Sequence, residues 1–149
     1  MKNWILPLIQ TLFTALVVLS FYAVTWWGEE FTLRAEPYDP FDPFLGEYVM
    51  LQYPDLEPPA GLDNQTVYFT LEEGADGYAV IDRIDDQPFF GSIEGHTYQQ
   101  FVTAPQLEQY YVEQGEGPAL EEAADLEITV DVAPWGAVRP VNLEERSSE

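Results

Sequence analysis

Thr66-Val67-Tyr68-Phe69-Thr70-Leu71-Glu72-Glu73-Gly74-Ala75-Asp76-Gly77-Tyr78-Ala79-Val80-Ile81-Asp82-Arg83-Ile84 is the stretch that decides the fold. β-Branched and aromatic residues dominate Thr66–Leu71 and Tyr78–Ile84, a composition suited to pleated, half-buried strands. Between them, Glu72–Gly77 carries two glycines and an aspartate, which is turn chemistry. The reading is a β-hairpin.

Working outward, Tyr48–Tyr53 is strand-like and closed by Pro54-Asp55, and Pro58, Pro59 and Gly61 make a loop. Downstream, Phe89–Ile93 and Thr97–Val102 are expected strands, while Leu107–Val112 is open between a strand and a short helix. Pro118–Ala124 has proline early and glutamates in its first turns, the marks of one short helix. Glu127–Val132 and Ala137–Val141 flank Pro134-Trp135-Gly136 as a terminal hairpin. The expected fold class is therefore mainly β: a small antiparallel sheet of seven or so strands, barrel- or sandwich-like, with one short helix. This domain is assigned residues 45–143, preceded by a Pro-rich tether at 29–44 and followed by a disordered tail at 144–149.

Residues 1–28 read differently. Ile5–Trp27 is uncharged throughout, and as a helix it would cross a hydrocarbon layer of roughly 30 Å. Pro7 falls in the first turn, where a missing N–H costs least. Trp4 at one end and Trp26 and Trp27 at the other suit the membrane interface. A cleaved signal peptide usually has a shorter apolar core and small residues before the cut, whereas this stretch ends in bulky aromatics. An uncleaved signal anchor is expected. Lys2 is the only base before Arg34, which places the N-terminus in the cytoplasm and the rest of the chain beyond a cell inner or thylakoid-type membrane.

Charge narrows the functions available. The net charge is -22, and all 27 acidic residues lie from Glu29 onward, against Arg34, Arg83, Arg139 and Arg146. Such a surface repels phosphate backbones, so nucleic acid is not an expected partner. The chain of 149 residues has no cysteine and one histidine, so thiol chemistry and multi-histidine metal sites are absent. The acid excess fits either a saline setting or a basic partner surface.

Gly46-Glu47-Tyr48-Val49-Met50-Leu51-Gln52-Tyr53 resembles the signature of the GDYXXLXY domain family, with Glu47 in place of its aspartate. Arg34 and Pro37-Tyr38-Asp39-Pro40 resemble the family's arginine and Pro-x-Asp-Pro segment upstream of the motif. Tyr110-Tyr111, Gly115 and Glu121 resemble its tyrosine-rich strand, Gly-rich turn and acidic helix. The resemblance implies a bacterial membrane-anchored protein with a small extracytoplasmic domain, and it implies no activity. The family positions carried over are Arg34, Asp39, Pro40, Gly46, Glu47, Tyr48, Leu51, Tyr53, Tyr110, Tyr111, Gly115 and Glu121.

Other chemistry is thinly represented. Ser92, Glu94 and His96 suggest a nucleophile, orienter and base, but on a strand Ser92 and His96 would lie roughly 13 Å apart, far beyond hydrogen-bond reach. Carboxylates cluster at Asp39/Asp42, at Asp82/Asp85/Asp86 and at Glu121/Glu122/Asp125, without the spacing of a calcium loop. No catalytic residue, metal ligand or cofactor is assigned. The expected function is that of a single-pass accessory or interaction protein, a subunit or assembly partner of a larger membrane complex. The alternatives are a cation- or carbohydrate-binding module and, less favoured, a hydrolase using Ser92 and His96.

Overall fold

The computed structural model describes residues 4–39, 48–98, 100–112, 120, 123 and 125–146. Helix α1 (Ile5–Trp27) is followed by strands β1 (Glu29–Asp39), β2 (Tyr48–Gln52), β3 (Thr66–Glu73), β4 (Ala79–Asp85) and β5 (Ile93–Tyr98). Then come β6 (Phe101–Thr103), β7 (Gln109–Tyr111), β8 (Leu126–Val132) and β9 (Val138–Glu145). The strands form two antiparallel sheets, ordered β7-β2-β1-β8-β9 and β4-β3-β5-β6. The mainly β expectation holds, with α1 the single helix among the described elements.

Alternation along the strands builds the core. Phe31, Leu33 and Ala35 of β1 join Val49 and Leu51 of β2 and Ile128 and Val130 of β8 on one inner face. They meet Val67 and Phe69 of β3, Ile93 of β5 and Val102 of β6 in one apolar cluster, so the sheets pack as a sandwich. One seam is bridged by the Val102 N–H, which donates to the Leu56 carbonyl at 2.9 Å.

The structure corrects the expected tether. Residues 29–39 form β1, which lies at the centre of the first sheet, paired to β2 on one side and β8 on the other. Phe31, Leu33 and Ala35 alternate inward, and burying them pins this extended segment into the sheet. Pro37 sits where the β1–β2 register shifts, so the bulge tolerates its missing donor. Only Gly28 separates helix from strand. Its N–H caps α1 by donating to Val24 O at 2.7 Å.

Three boundaries also move. Phe89–Ser92 is a turn closed by the Ser92 N–H on Phe89 O. The expected strand Thr97–Val102 is a hairpin instead, with Tyr98 opposite Phe101; Gln99-Gln100 has no turn residue to announce it. Positions 144 and 145, assigned to the tail, belong to β9, which continues to Glu145 with Leu143 buried opposite Ile128. Leu107–Val112 resolves into a turn at Leu107 followed by β7. Most of the expected 118–124 helix lies outside the described residues.

Exposed apolar residues dominate α1: its 23 residues include none that is buried by the protein, and it is long and apolar enough to cross a membrane. A core helix of a soluble domain would bury one face, so these exposed side chains support membrane anchoring.

Candidate functional site

Strand β2 carries the tyrosine signature, and its alternation divides the motif between two faces. Val49 and Leu51 point into the core, and Tyr53, just past the strand, is fully buried. The Tyr53 hydroxyl donates to the Leu107 carbonyl at 2.5 Å, tying the end of β2 to the turn before β7. Burial, reinforced by the charge of Glu108, raises the Tyr53 phenol far above its ordinary range. At neutral pH it stays protonated and serves as a hydrogen-bond donor. Tyr48 faces the other way and meets Tyr111 across the β2–β7 pair, ring centroids 6.2 Å apart. Tyr110 is half-buried against the core.

Arg34 is a hub on the outward face of β1. Its Nη1 reaches both oxygens of Asp55, at 3.0 and 3.1 Å, and its Nη2 pairs with Asp76 in the β3–β4 turn. The guanidinium also lies 4.1 Å from the centroid of the Tyr78 ring. The Tyr78 hydroxyl donates to Glu127, which lies directly opposite Arg34 across the β1–β8 pair. The hydrogen bond from Arg34 holds the Asp76 carboxyl below the usual carboxylate range, and donation to Glu127 raises the Tyr78 phenol. Each of these groups is committed to another, so the cluster fastens the hairpin turn to the first sheet and leaves no free nucleophile.

The seam between the sheets opens outward as a groove of about 570 Å³. Tyr38 of β1, Met50 and Gln52 of β2, His96 and Tyr98 of β5 and Phe101 of β6 line it, with Thr103 and Glu108. Tyr38 and Tyr98 are exposed, so two aromatic faces stand ready at the rim. The Gln52 amide is oriented by its hydrogen bond to Glu36 at 3.1 Å. Aromatic surfaces beside an amide, an imidazole and a carboxylate suit reversible binding of a ligand with one apolar face.

The structure does not join Ser92 to His96. The Ser92 hydroxyl donates to Phe89 O at 2.7 Å and accepts from Phe89 N at 3.3 Å within its own turn. His96 points outward from β5 into the groove. Among the described residues no group of three or more His, Cys, Asp or Glu could hold a metal ion. Asp82 accepts from Thr70 Oγ1 at 3.2 Å, and Asp85 pairs with Arg83 at 3.1 Å while accepting from the Gln87 N–H. Pro40, Gly46, Glu47, Gly115 and Glu121 lie outside the described residues, as does the side chain of Asp39. Trp4 precedes α1, and Trp26 and Trp27 end it, all three exposed.

With tyrosine strand, arginine and apolar helix in place, the comparison with known families is decisive: residues 10–143 match the family described as GDYXXLXY protein. The chain belongs to the GDYXXLXY family. No curated protein and no solved structure matches it. In this GDYXXLXY protein the signature residues Leu51 and Tyr53 build the core, and Leu51 also lines the groove together with Met50 and Gln52, which stand between the signature positions. Sequence reading missed Tyr38, Gln52, Tyr98, Phe101 and Glu108 as neighbours of His96. Pairing Tyr98 with Phe101 would have exposed part of that set, but no turn residue between them announces the hairpin.

Proposed function

We propose that this GDYXXLXY protein is a membrane-anchored accessory protein whose acidic β-domain stands on the non-cytoplasmic side and contacts another subunit of a membrane complex. One observation carries the reading: a single residue, Gly28, separates a helix fit to cross a membrane from the central strand of the sandwich. A domain joined in this way is held close to the bilayer with little freedom to swing, which suits lateral contact with a neighbour in the same membrane. Lys2 as the sole base before Arg34 supports the orientation. Mild-detergent extraction of native membranes is expected to yield the protein in a larger complex that Tyr98→Ser weakens. A lone monomer under those conditions would refute the assignment.

The groove favours a second reading as a carbohydrate-binding module, because exposed Tyr38 and Tyr98 offer stacking faces beside Gln52 and Glu108. Calorimetry with soluble oligosaccharides tests it; binding heat that Tyr98→Ser removes would support it, and no heat would exclude it.

A further inference from the structure

We propose that the outer domain rests on the membrane surface itself, with two aromatic turns entering the interfacial layer beside the end of α1. This rests on the reading that α1 spans that bilayer. Strand register places the first turn. Glu29, where the chain leaves the helix, lies opposite Val132, and Val132 lies opposite Val138. The β8–β9 turn, Pro134-Trp135-Gly136, therefore projects from the end of the sheet at which the helix arrives.

The second turn, Phe89–Ser92, is locked against the first. Gly136 has φ +83°, and a Cβ there would lie 2.0 Å from Ser92 O. Gly91 has φ +82°, and a Cβ there would lie 3.0 Å from Pro134 O. Two glycines thus let the backbones touch, and the turns move as one body. They present Phe90, 87% exposed, and Trp135, 48% exposed. Neither Pro88–Ser92 nor Ala133–Ala137 contains a charged residue, in a domain rich in carboxylates. Large aromatics left in water at such a tip have a natural place at the headgroup level.

Arg139 ties this turn to the helix. Its guanidinium lies 5.4 Å from the centroid of the Phe21 ring. Phe21 is six residues back from Trp27, about 9 Å down the helix axis. The start of β9 therefore leans against the last turns of α1, which holds the β8–β9 turn beside the helix end, at the membrane surface. Asp131, opposite Arg139, and Glu29 and Glu30 oppose anionic lipid, so aromatic insertion is the main attraction.

The chain has four tryptophans, Trp4, Trp26, Trp27 and Trp135, which makes a direct test available. In the Trp4→Phe/Trp26→Phe/Trp27→Phe variant of the full chain, Trp135 is the only tryptophan. Reconstituted in phosphatidylcholine vesicles with brominated acyl chains, its emission is expected to fall roughly two-fold relative to unbrominated vesicles, with shielding from acrylamide. Trp135→Phe keeps Trp26 and Trp27 and reports insertion of the helix. If those two are quenched while Trp135 is unquenched and open to acrylamide, the surface docking is overturned and the membrane span stands. If neither variant is quenched, both fall. Phe90→Trp in a background lacking the other four tryptophans reads the second turn, and its exposure keeps the fold intact; an unquenched signal there also overturns the proposal.

Discussion

Replacing Tyr53 with phenylalanine removes one atom from the interior and isolates what the last tyrosine of the family signature contributes. The side chain is fully buried, and its hydroxyl supplies the Leu107 carbonyl, in a residue that is itself buried, with a hydrogen bond of 2.5 Å. Loss of such a bond costs about 1 kcal/mol net, and a buried carbonyl left without its donor raises this toward 2 kcal/mol. For a domain of this size that corresponds to a fall in Tm of roughly 4–8 °C. The assay is thermal unfolding of the full-length protein in nanodiscs, followed by near-UV circular dichroism. Tyr98→Phe is the control, because a half-exposed hydroxyl at the groove rim is replaced by water contacts; its stability should stay within about 0.5 kcal/mol of the parent. The pH profile adds an independent readout. A phenol whose folded pKa is raised contributes stability below its unfolded pKa of about 10, and that contribution is lost as pH rises further. The parent should therefore lose stability more steeply than Tyr53→Phe above pH 10. A Tyr53→Phe protein that melts within about 1 °C of the parent, with the same alkaline limb, would refute the buried-donor reasoning.

Further outcomes follow from the same geometry. Leu33→Ala, in the middle of the central strand with no exposed surface, should cost about 2–5 kcal/mol in denaturant titration; a loss below 1 kcal/mol would mean that β1 is not central to the core. Because the folded Asp76 pKa is lowered by Arg34, its contribution is present above the unfolded carboxylate pKa and lost as pH falls through the folded value. Asp76→Asn should thus flatten the acid limb of a Tm-against-pH curve, and an unchanged limb would show that the pair is inert. With net charge -22, raising NaCl from about 0.02 M to about 1 M should raise Tm by screening self-repulsion; a falling Tm would indicate that ion pairs such as Arg34–Asp55 outweigh the repulsion.

Much of the architecture was legible from local pattern. The hairpin around Gly74–Gly77 and the terminal hairpin around Pro134–Gly136 both stand, because turn chemistry flanked by period-two runs specifies its own partner a few residues away. The strand at 29–39 was not legible, since Pro37 and the prolines that follow it at 40 and 43 made the segment read as a tether, while the three inward positions, Phe31, Leu33 and Ala35, matter only once β2 and β8 flank them. The groove was hidden for a related reason. Tyr38, Gln52, His96 and Tyr98 come from three strands in two sheets, and no spacing along the chain brings them together.

By itself, then, the sequence determined the apolar helix, the β-rich domain and the charge that sets how this domain meets solvent, because each depends on properties of consecutive residues. Tertiary structure decided where β1 sits, how closely helix and sandwich are joined at Gly28, and which side chains share the seam. Those features arise from contacts between segments far apart in the chain, and their energies exist only after the sheets have packed.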